Sequence, residues 1–423
     1  MGKAAKKQDF NLSSFFQDFS LKQQTALFDD QPQKTLVDFI DIEGDQYPRF
    51  INEYWTAKQR QASSLHEIAY RACFKGQLPK FFIELFTNPE EIVYDPFSGR
   101  GTTIIEAGLL GRNVISNDIN PLSKILARPR LNPPTLKEIE SRLTDIPINK
   151  TLRAEIDLSM FFNPATEGEI VSLRKYLISK SEANREDHID EWIRMVATNR
   201  LTGHSSGFFS VYTLPPNQAV SPESQIKINA KRNQKPEYRD TRKLIFKKSK
   251  SLLRNLSDEK RTRLINVGRK AKFFCNDARF TKNIKPASVA ATVTSPPFLD
   301  VVQYADDNWM RCWFNNLSVK EIEKQITMAK NIDEWESIMG DVFKELYRIT
   351  KNKGWVAFEV GEVRGGKIRL DEHVIPLGIQ AGFKCEGIVI NQQIFTKTSN
   401  IWGISNNTKG TNTNRIVLFE KGE

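Results

Sequence analysis

A recurring pattern of short apolar runs that end in a polar residue or a turn constrains the fold of this chain more than any other feature. Ile92-Val93-Tyr94 halts at Asp95 and is followed by a glycine-rich turn. Thr103 to Leu110 then has helical spacing and ends at Gly111, and a second strand-like run extends from Val114 to Asp118. Strand, loop, helix, strand is a βαβ unit. The pattern returns at Ala271 to Asp277, at Val289 to Ser295 and at Trp355 to Gly361. The last run follows a helix carrying Trp335, Ile338, Met339, Val342, Phe343, Leu346 and Ile349 on one face. Strands alternating with helices predict an α/β fold with a doubly wound, mostly parallel sheet, whose ligands gather at the carboxyl ends of the strands.

Between Arg128 and Lys270 the alternation stops. This stretch opens with helical segments, Leu136 to Leu143 and Thr166 to Leu177, and closes in a basic one. Lys227 to Lys272 holds 17 Lys and Arg against 4 Asp and Glu in a chain of net charge +11, so the remainder is close to neutral. We expect a division into an N-terminal extension (1–47), a first part of the main domain (48–130), an inserted basic region (131–270) and a second part (271–423). Thr213 to Asp240, rich in Pro, Gln, Asn and charge, reads as loosely structured until something binds it.

Other classes are disfavoured. The four cysteines, Cys73, Cys275, Cys312 and Cys385, form no C-x-x-C pair, and His204 has no ligand-like spacing around it, so no metal site and no disulfide framework are expected. Met1 to Phe10 lacks the apolar core of a secretion signal, and no run of about 18 apolar residues occurs. A cytoplasmic protein without membrane attachment is the expectation.

Two peptides carry the chemistry. In Asp95-Pro96-Phe97-Ser98-Gly99-Arg100-Gly101-Thr102-Thr103, glycines flank Arg100 and let the backbone approach a ligand closely. The loop lacks Gly-Lys-Ser/Thr and is headed by a carboxylate, which repels phosphate and suits a cationic ligand such as S-adenosylmethionine. Asp118, at the end of the second strand, is placed to accept hydrogen bonds from ribose hydroxyls. In Thr294-Ser295-Pro296-Pro297-Phe298, the prolines fix φ and remove two amide donors, leaving a rigid acceptor surface. Ser295 and the Pro296 carbonyl can each take one N–H of an exocyclic amine, and Phe298 offers a stacking face of roughly 1–3 kcal/mol to a flipped-out base.

The first peptide resembles motif I of the amino-group DNA methyltransferases, D-P-F-x-G-x-G-T-T, and the second resembles their motif IV, S/D/N-P-P-Y/F. The resemblance runs from about Tyr54 to Glu423 apart from the insertion. It implies the class I methyltransferase variant of the Rossmann-like fold and S-adenosylmethionine as cofactor. Asp95, Pro96, Phe97, Gly99, Gly101 and Thr102 would form its loop. Phe74 and Lys75, in a stretch similar to motif X, would lie beside the methionine end, and Asp277 would meet the adenine amine. Ser295, Pro296, Pro297 and Phe298 are then the catalytic residues, with Tyr304 shaping the pocket. Asn412-Thr413-Asn414-Arg415 resembles the region of motif VIII.

T-S-P-P-F is the form similar to cytosine-N4 enzymes, whereas adenine-N6 enzymes more often begin with Asp or Asn. The favoured expectation is therefore N4 methylation of cytosine in double-stranded DNA. A restriction endonuclease acting on the same site is a candidate partner, and the oligomeric state stays open. The alternatives are adenine-N6 methylation, RNA guanine-N2 methylation, and a silent DNA-binding protein on the same scaffold. Cytosine-C5 chemistry is disfavoured, because no cysteine follows a proline. The insertion would be the target recognition region, although it falls before the strand ending at Asp277 rather than after it as in the family arrangement it most resembles. Lys243, Lys247 and Lys248, with Lys231, Arg232, Lys235, Arg239, Arg242, Lys250 and Arg254, would contact phosphates. Asn199, Arg200, His204 and Gln218 are candidate base readers.

Overall fold

The computed structural model describes residues 11–20, 34–55, 62–70, 73–213, 219–297, 304–326, 329–363, 368–392 and 413–423. Helix α1 (Leu12–Gln17), the hairpin strands β1 (Leu36–Ile42) and β2 (Asp45–Asn52), and α2 (Gln77–Phe86) precede the first βαβ unit. That unit is β3 (Ile92–Asp95), α3 (Thr102–Leu109) and β4 (Asn113–Asn117), followed by α4 (Leu122–Ala127). Next come α5 (Leu136–Asp145), α6 (Pro164–Glu182), α7 (His188–Arg200), α8 (Pro222–Arg232), α9 (Thr241–Leu253) and α10 (Asp258–Lys270). The chain continues with β5 (Lys272–Phe274), β6 (Val289–Thr294), α11 (Tyr304–Phe314), α12 (Val319–Gln325), α13 (Ile332–Ile349) and β7 (Thr350–Val360). It ends with a ribbon, β8 (Glu362–Val363) and β9 (Ile368–Arg369), then α14 (Leu370–Gln380), β10 (Lys384–Gln392) and β11 (Thr413–Glu420).

Nine strands form one sheet in the order β1-β2-β10-β11-β7-β6-β3-β4-β5. From β5 to β7 all neighbours are parallel, and β11 runs antiparallel between β7 and β10. The order reverses between β3 and β6, so the two peptides singled out above leave the carboxyl ends of adjacent strands at the switch point of the sheet. The fold is thus the expected doubly wound α/β arrangement with a mostly parallel sheet.

The period-2 alternation of the strands divides the core. Val93, Val114, Ala357, Ile416 and Leu418 face one layer, which contains Phe82 and Ile104 of α2 and α3. Tyr94, Ile115, Phe358, Val417 and Phe419 face the other, which contains Phe343 and Leu346 of α13 and Val374 of α14.

Three placements differ from the boundaries expected. Residue 47 falls inside β2, whose parallel pairing with β10 makes the hairpin part of the sheet. Residue 270 ends α10, which is the crossover helix to β5. A Cβ on Gly268 would lie 2.5 Å from the Leu131 carbonyl oxygen, and Leu264 packs over Gly108 of α3, so this basic helix is fastened to the sheet layer. Ile139, Trp192, Ile193, Ile245 and Leu252 of the helices from 136 to 253 also belong to the same buried cluster as Val93 and Ile104. Finally, the stretch read as loose contains α8, capped by the Ser221 hydroxyl with Gln225 fully buried. Among the described residues no helix is long and apolar enough to cross a membrane.

Candidate functional site

The cofactor loop is shaped by its glycines. Gly101 has φ +78°, and a Cβ there would come 2.5 Å from the Ala127 Cβ, so only glycine lets α3 start against α4. Gly99, at φ +51°, donates its N–H to Asp118 Oδ2 at 2.7 Å, and Asn120 N donates to Oδ1 at 2.9 Å. Burial, offset by these two hydrogen bonds, pushes the Asp118 carboxyl up to about 6. Each oxygen retains a lone pair for a ligand hydroxyl.

Arg100, at the variable position of the loop, ties the loop to the segment before α2. Its Nη1 donates to the carbonyls of His66 (3.1 Å) and Ile68 (3.0 Å), and Nη2 donates to that of Phe74 (3.3 Å). Sequence reasoning missed this residue, because its partners are backbone atoms that no motif displays.

A cavity of about 330 Å³ opens at these strand ends, within the roughly 300–1,000 Å³ usual for cofactor sites. Phe74, Pro96, Phe97, Gly99, Asp118 and Asp277 line it, as do Ser295, Pro296 and Pro297, so the two peptides share one space. Other expected cofactor residues lie elsewhere. Lys75 is exposed and off the wall. Thr102 is buried at the start of α3, where its hydroxyl accepts from Arg100 Nε at 3.1 Å. Asp95 is 2% exposed and points inward, accepting from the Thr294 hydroxyl at 2.7 Å and from Phe97 N at 3.2 Å. Burial lifts its carboxyl to about 7 despite those bonds, so it joins β3 to β6 instead of facing a cation. Asp277 is on the wall but paired with Arg279 at 2.6 Å; burial pushes its carboxyl up, and the Arg279 hydrogen bonds outweigh this and hold it low.

At the catalytic strand end, Trp335 Nε1 donates to the Pro297 carbonyl at 3.0 Å and fixes the turn. The second residue missed is Glu359, near the end of β7. It is 9% exposed, on the cavity wall, hydrogen-bonded by Ser295, and accepts from Asn414 Nδ2 at 3.0 Å. Burial raises its carboxyl above the usual range, and the bonds from Ser295 and Asn414 draw it partly back. Asn414 belongs to the stretch resembling motif VIII. Phe298 lies outside the described residues, as do Gln218 and Asn412. Tyr304 begins α11, with its side chain outside the described set.

The basic side chains separate into two groups. Arg239 donates to the carbonyls of Ser205, Phe208 and Ser210, Arg242 to that of Ile146, and Arg254 pairs with Glu67. Arg232 lies 3.8 Å from the centre of the Tyr212 ring. Lys231, Lys235, Lys243, Lys247 and Lys250 are exposed, and Lys248 is half-buried. Asn199 is 2% exposed and donates to the Ala69 carbonyl, which removes it from the candidate base readers, whereas His204 is exposed. The described residues include no cluster of three or more metal-ligating side chains.

A family model described as DNA methylase matches residues 4–126. A type II methyltransferase of Methanocaldococcus jannaschii is 30% identical over 96 residues, covering 22% of this chain and 18% of that one. A type II methyltransferase of Kocuria varians is 32% identical over 107 residues, 25% of this chain and 22% of that one. The matched stretch thus spans under a quarter of either relative. Two solved structures show similarity at low scores. A SAM-dependent methyltransferase of Methanosarcina mazei has a TM-score of 0.31 and 8% identity, covering 81% of this chain and 97% of that one. An rRNA methyltransferase of Streptomyces viridochromogenes has a TM-score of 0.33 and 12% identity, covering 87% and 94%.

The cofactor implied by the family model, S-adenosylmethionine, fits the donor set. Carboxylates of Asp118, Asp277 and Glu359 suit its positive charges, Phe74 and Phe97 supply apolar walls, and Gly99 gives close backbone approach. Over residues 4–126, and over the stretches shared with the two type II methyltransferases, the chain is similar to the N6/N4 amino-group DNA methyltransferases.

Proposed function

We propose that this protein transfers a methyl group from S-adenosylmethionine to the exocyclic amine of a base flipped out of double-stranded DNA, with cytosine N4 as the target. The observation that carries the reading is one cavity lined by both Gly99 and Asp118 of the cofactor loop region and Ser295 to Pro297 of the catalytic turn. The bound cofactor supplies an electrophilic methyl group on a sulfonium. The chain supplies the rest. The Ser295 hydroxyl donates to Glu359 and so presents its oxygen lone pairs to an amine N–H, with the Pro296 carbonyl as second acceptor. Both bonds shift electron density onto the amine nitrogen. Once that nitrogen has gained the methyl and become cationic, it gives a proton to Ser295 Oγ as the Ser295 proton passes to Glu359.

Ser295, where Asp or Asn would favour adenine, supports cytosine. Phe298 is assigned the stacking face, Tyr304 a place at the pocket, and the exposed lysines Lys243 and Lys247, with half-buried Lys248, phosphate contacts. The names of the two relatives support a modification role beside a restriction endonuclease acting on the same site.

Incubating duplex DNA with the protein and labelled donor, followed by nucleoside mass spectrometry, tests this. N4-methylcytosine is expected, with a loss on the order of 10²–10³ in rate for Ser295→Ala while donor affinity is kept. N6-methyladenine would move the reading to the adenine branch. No methylated base, or an unimpaired Ser295→Ala, would overturn the mechanism.

A further inference from the structure

Arg200 ends α7 where α7, α9, α11 and the segment from Glu67 to Tyr70 come together. Its guanidinium stacks on Phe208, 3.9 Å from the ring centre. Nε donates to the Asn199 carbonyl at 3.1 Å and Nη2 to the Asn199 side-chain oxygen at 2.8 Å, while Nη1 has no partner among the described residues. Among the described residues no carboxylate pairs with this half-buried cation. The charges that act on it and on which it acts have the same sign: Arg311 of α11, itself acted on by Asp307, acts on Arg200, and Arg200 acts on Lys248 of α9. Burial, then Arg311, draws Arg200 down to about 10, and burial, then Arg200, draws Lys248 down to about 8. Glu67, the acid that acts on Lys248, is already held by Arg254. Like charges gathered in a partly desolvated place are unfavourable until an anion joins them.

The same scaffold connects this group to the cavity. Asn199 Nδ2 and Arg311 Nη2 both donate to the Ala69 carbonyl, at 2.9 and 3.2 Å. The next residue, Tyr70, forms part of the cavity wall, and its ring is the nearest neighbour a Cβ on Gly99 would meet, at 3.4 Å. Arg311 also lies on the first helix after the catalytic turn. A flipped nucleotide remains joined to its strand by phosphates that stay at the mouth while the base enters. An arginine with a committed edge and an uncommitted Nη1 suits one phosphate oxygen at such a mouth.

We propose that Arg200, flanked by Lys248 and oriented through Asn199 and Ala69, binds a backbone phosphate of the DNA strand that carries the target base. This rests on the reading that a DNA base enters the cavity, and it gives Arg200 a positioning contact in place of the base-edge contact expected from sequence.

The test is the salt dependence of binding of the full-length protein to a fluorescently labelled DNA duplex of mixed sequence, with donor affinity measured in parallel. Arg200→Gln should lower the slope of log affinity against log salt by about 1 while keeping donor affinity, and Lys344→Gln, at an exposed side chain of α13, should leave the slope unchanged. Should Arg200→Gln lose donor binding through misfolding, Lys248→Met is expected to lower the slope instead. An unchanged slope in whichever of these variants folds overturns the proposal alone. A wild-type chain that binds no DNA overturns the functional reading with it. A slope change seen with an RNA duplex and not with DNA overturns the assignment of the phosphate to DNA.

Discussion

Glu359 is hydrogen-bonded by Ser295 and Asn414 inside the cavity wall, and its carboxyl is raised chiefly by burial. A carboxylate there takes a proton, whereas a carboxylic acid cannot. Methyl transfer should therefore fall as pH drops through the raised Glu359 value, at a higher pH than an ordinary glutamate would give. Glu359→Gln should remove that acid limb from the pH–rate profile and slow transfer by about 10²-fold or more, with donor affinity preserved. A variant keeping the wild-type limb would free Glu359 of this role. The loop and the Ser-Pro-Pro turn were legible because each is a contiguous peptide whose backbone demands appear in its own letters. Glu359 was not, since it is a single acid in an apolar strand and meets Ser295 only through the pairing of β6 with β7. Asp95 and Lys75 were misplaced for a related reason: a strand end shows which residues are polar but not which of them face the cavity.

Between elements, the Asp95 carboxylate joins the ends of β3 and β6 by accepting from Thr294. Its pKa is raised from 3.8 to about 7, chiefly by burial, so between those values the folded state binds more protons than the unfolded state. Stability from this group is complete below about pH 4 and declines as pH rises toward 7. Asp95→Asn, whose oxygen can still accept from Thr294, should flatten this decline in denaturant titrations of the donor-free protein at several pH values. An unaltered pH dependence would show that Asp95 ionises as freely in the fold as outside it. The alternation of strands and helices was readable because apolar periodicity is local. The β1–β2 hairpin was not, because Asp38 and Asp41 break up the apolar residues of β1, Pro48 and Arg49 interrupt β2, and both strands are only partly buried at the far end of the sheet. Nor was α10, whose basic surface hides that Leu264, Val267 and Gly268 seat it against α3 and Leu131.

At the scale of the molecule, the helices from 136 to 253 have no core of their own. Ile245 and Leu252 of α9 lie in the same buried cluster as Val93 of β3 and Ile104 of α3. Ile245→Ala should cost roughly 2–5 kcal/mol and shift one cooperative transition, seen at the same denaturant concentration by far-ultraviolet dichroism and by loss of bound donor. Donor binding that outlasts the first transition would show two separate units. The charge count marked this stretch as a block apart, and only the packing shows what it rests on. Proteins that exchange recognition modules do so by moving a block that brings its own interior. A block whose interior is shared with β3 and α3 cannot be lifted out whole, so under the DNA-binding role proposed for it a change of target would proceed by single replacements on the outer faces of α8 and α9.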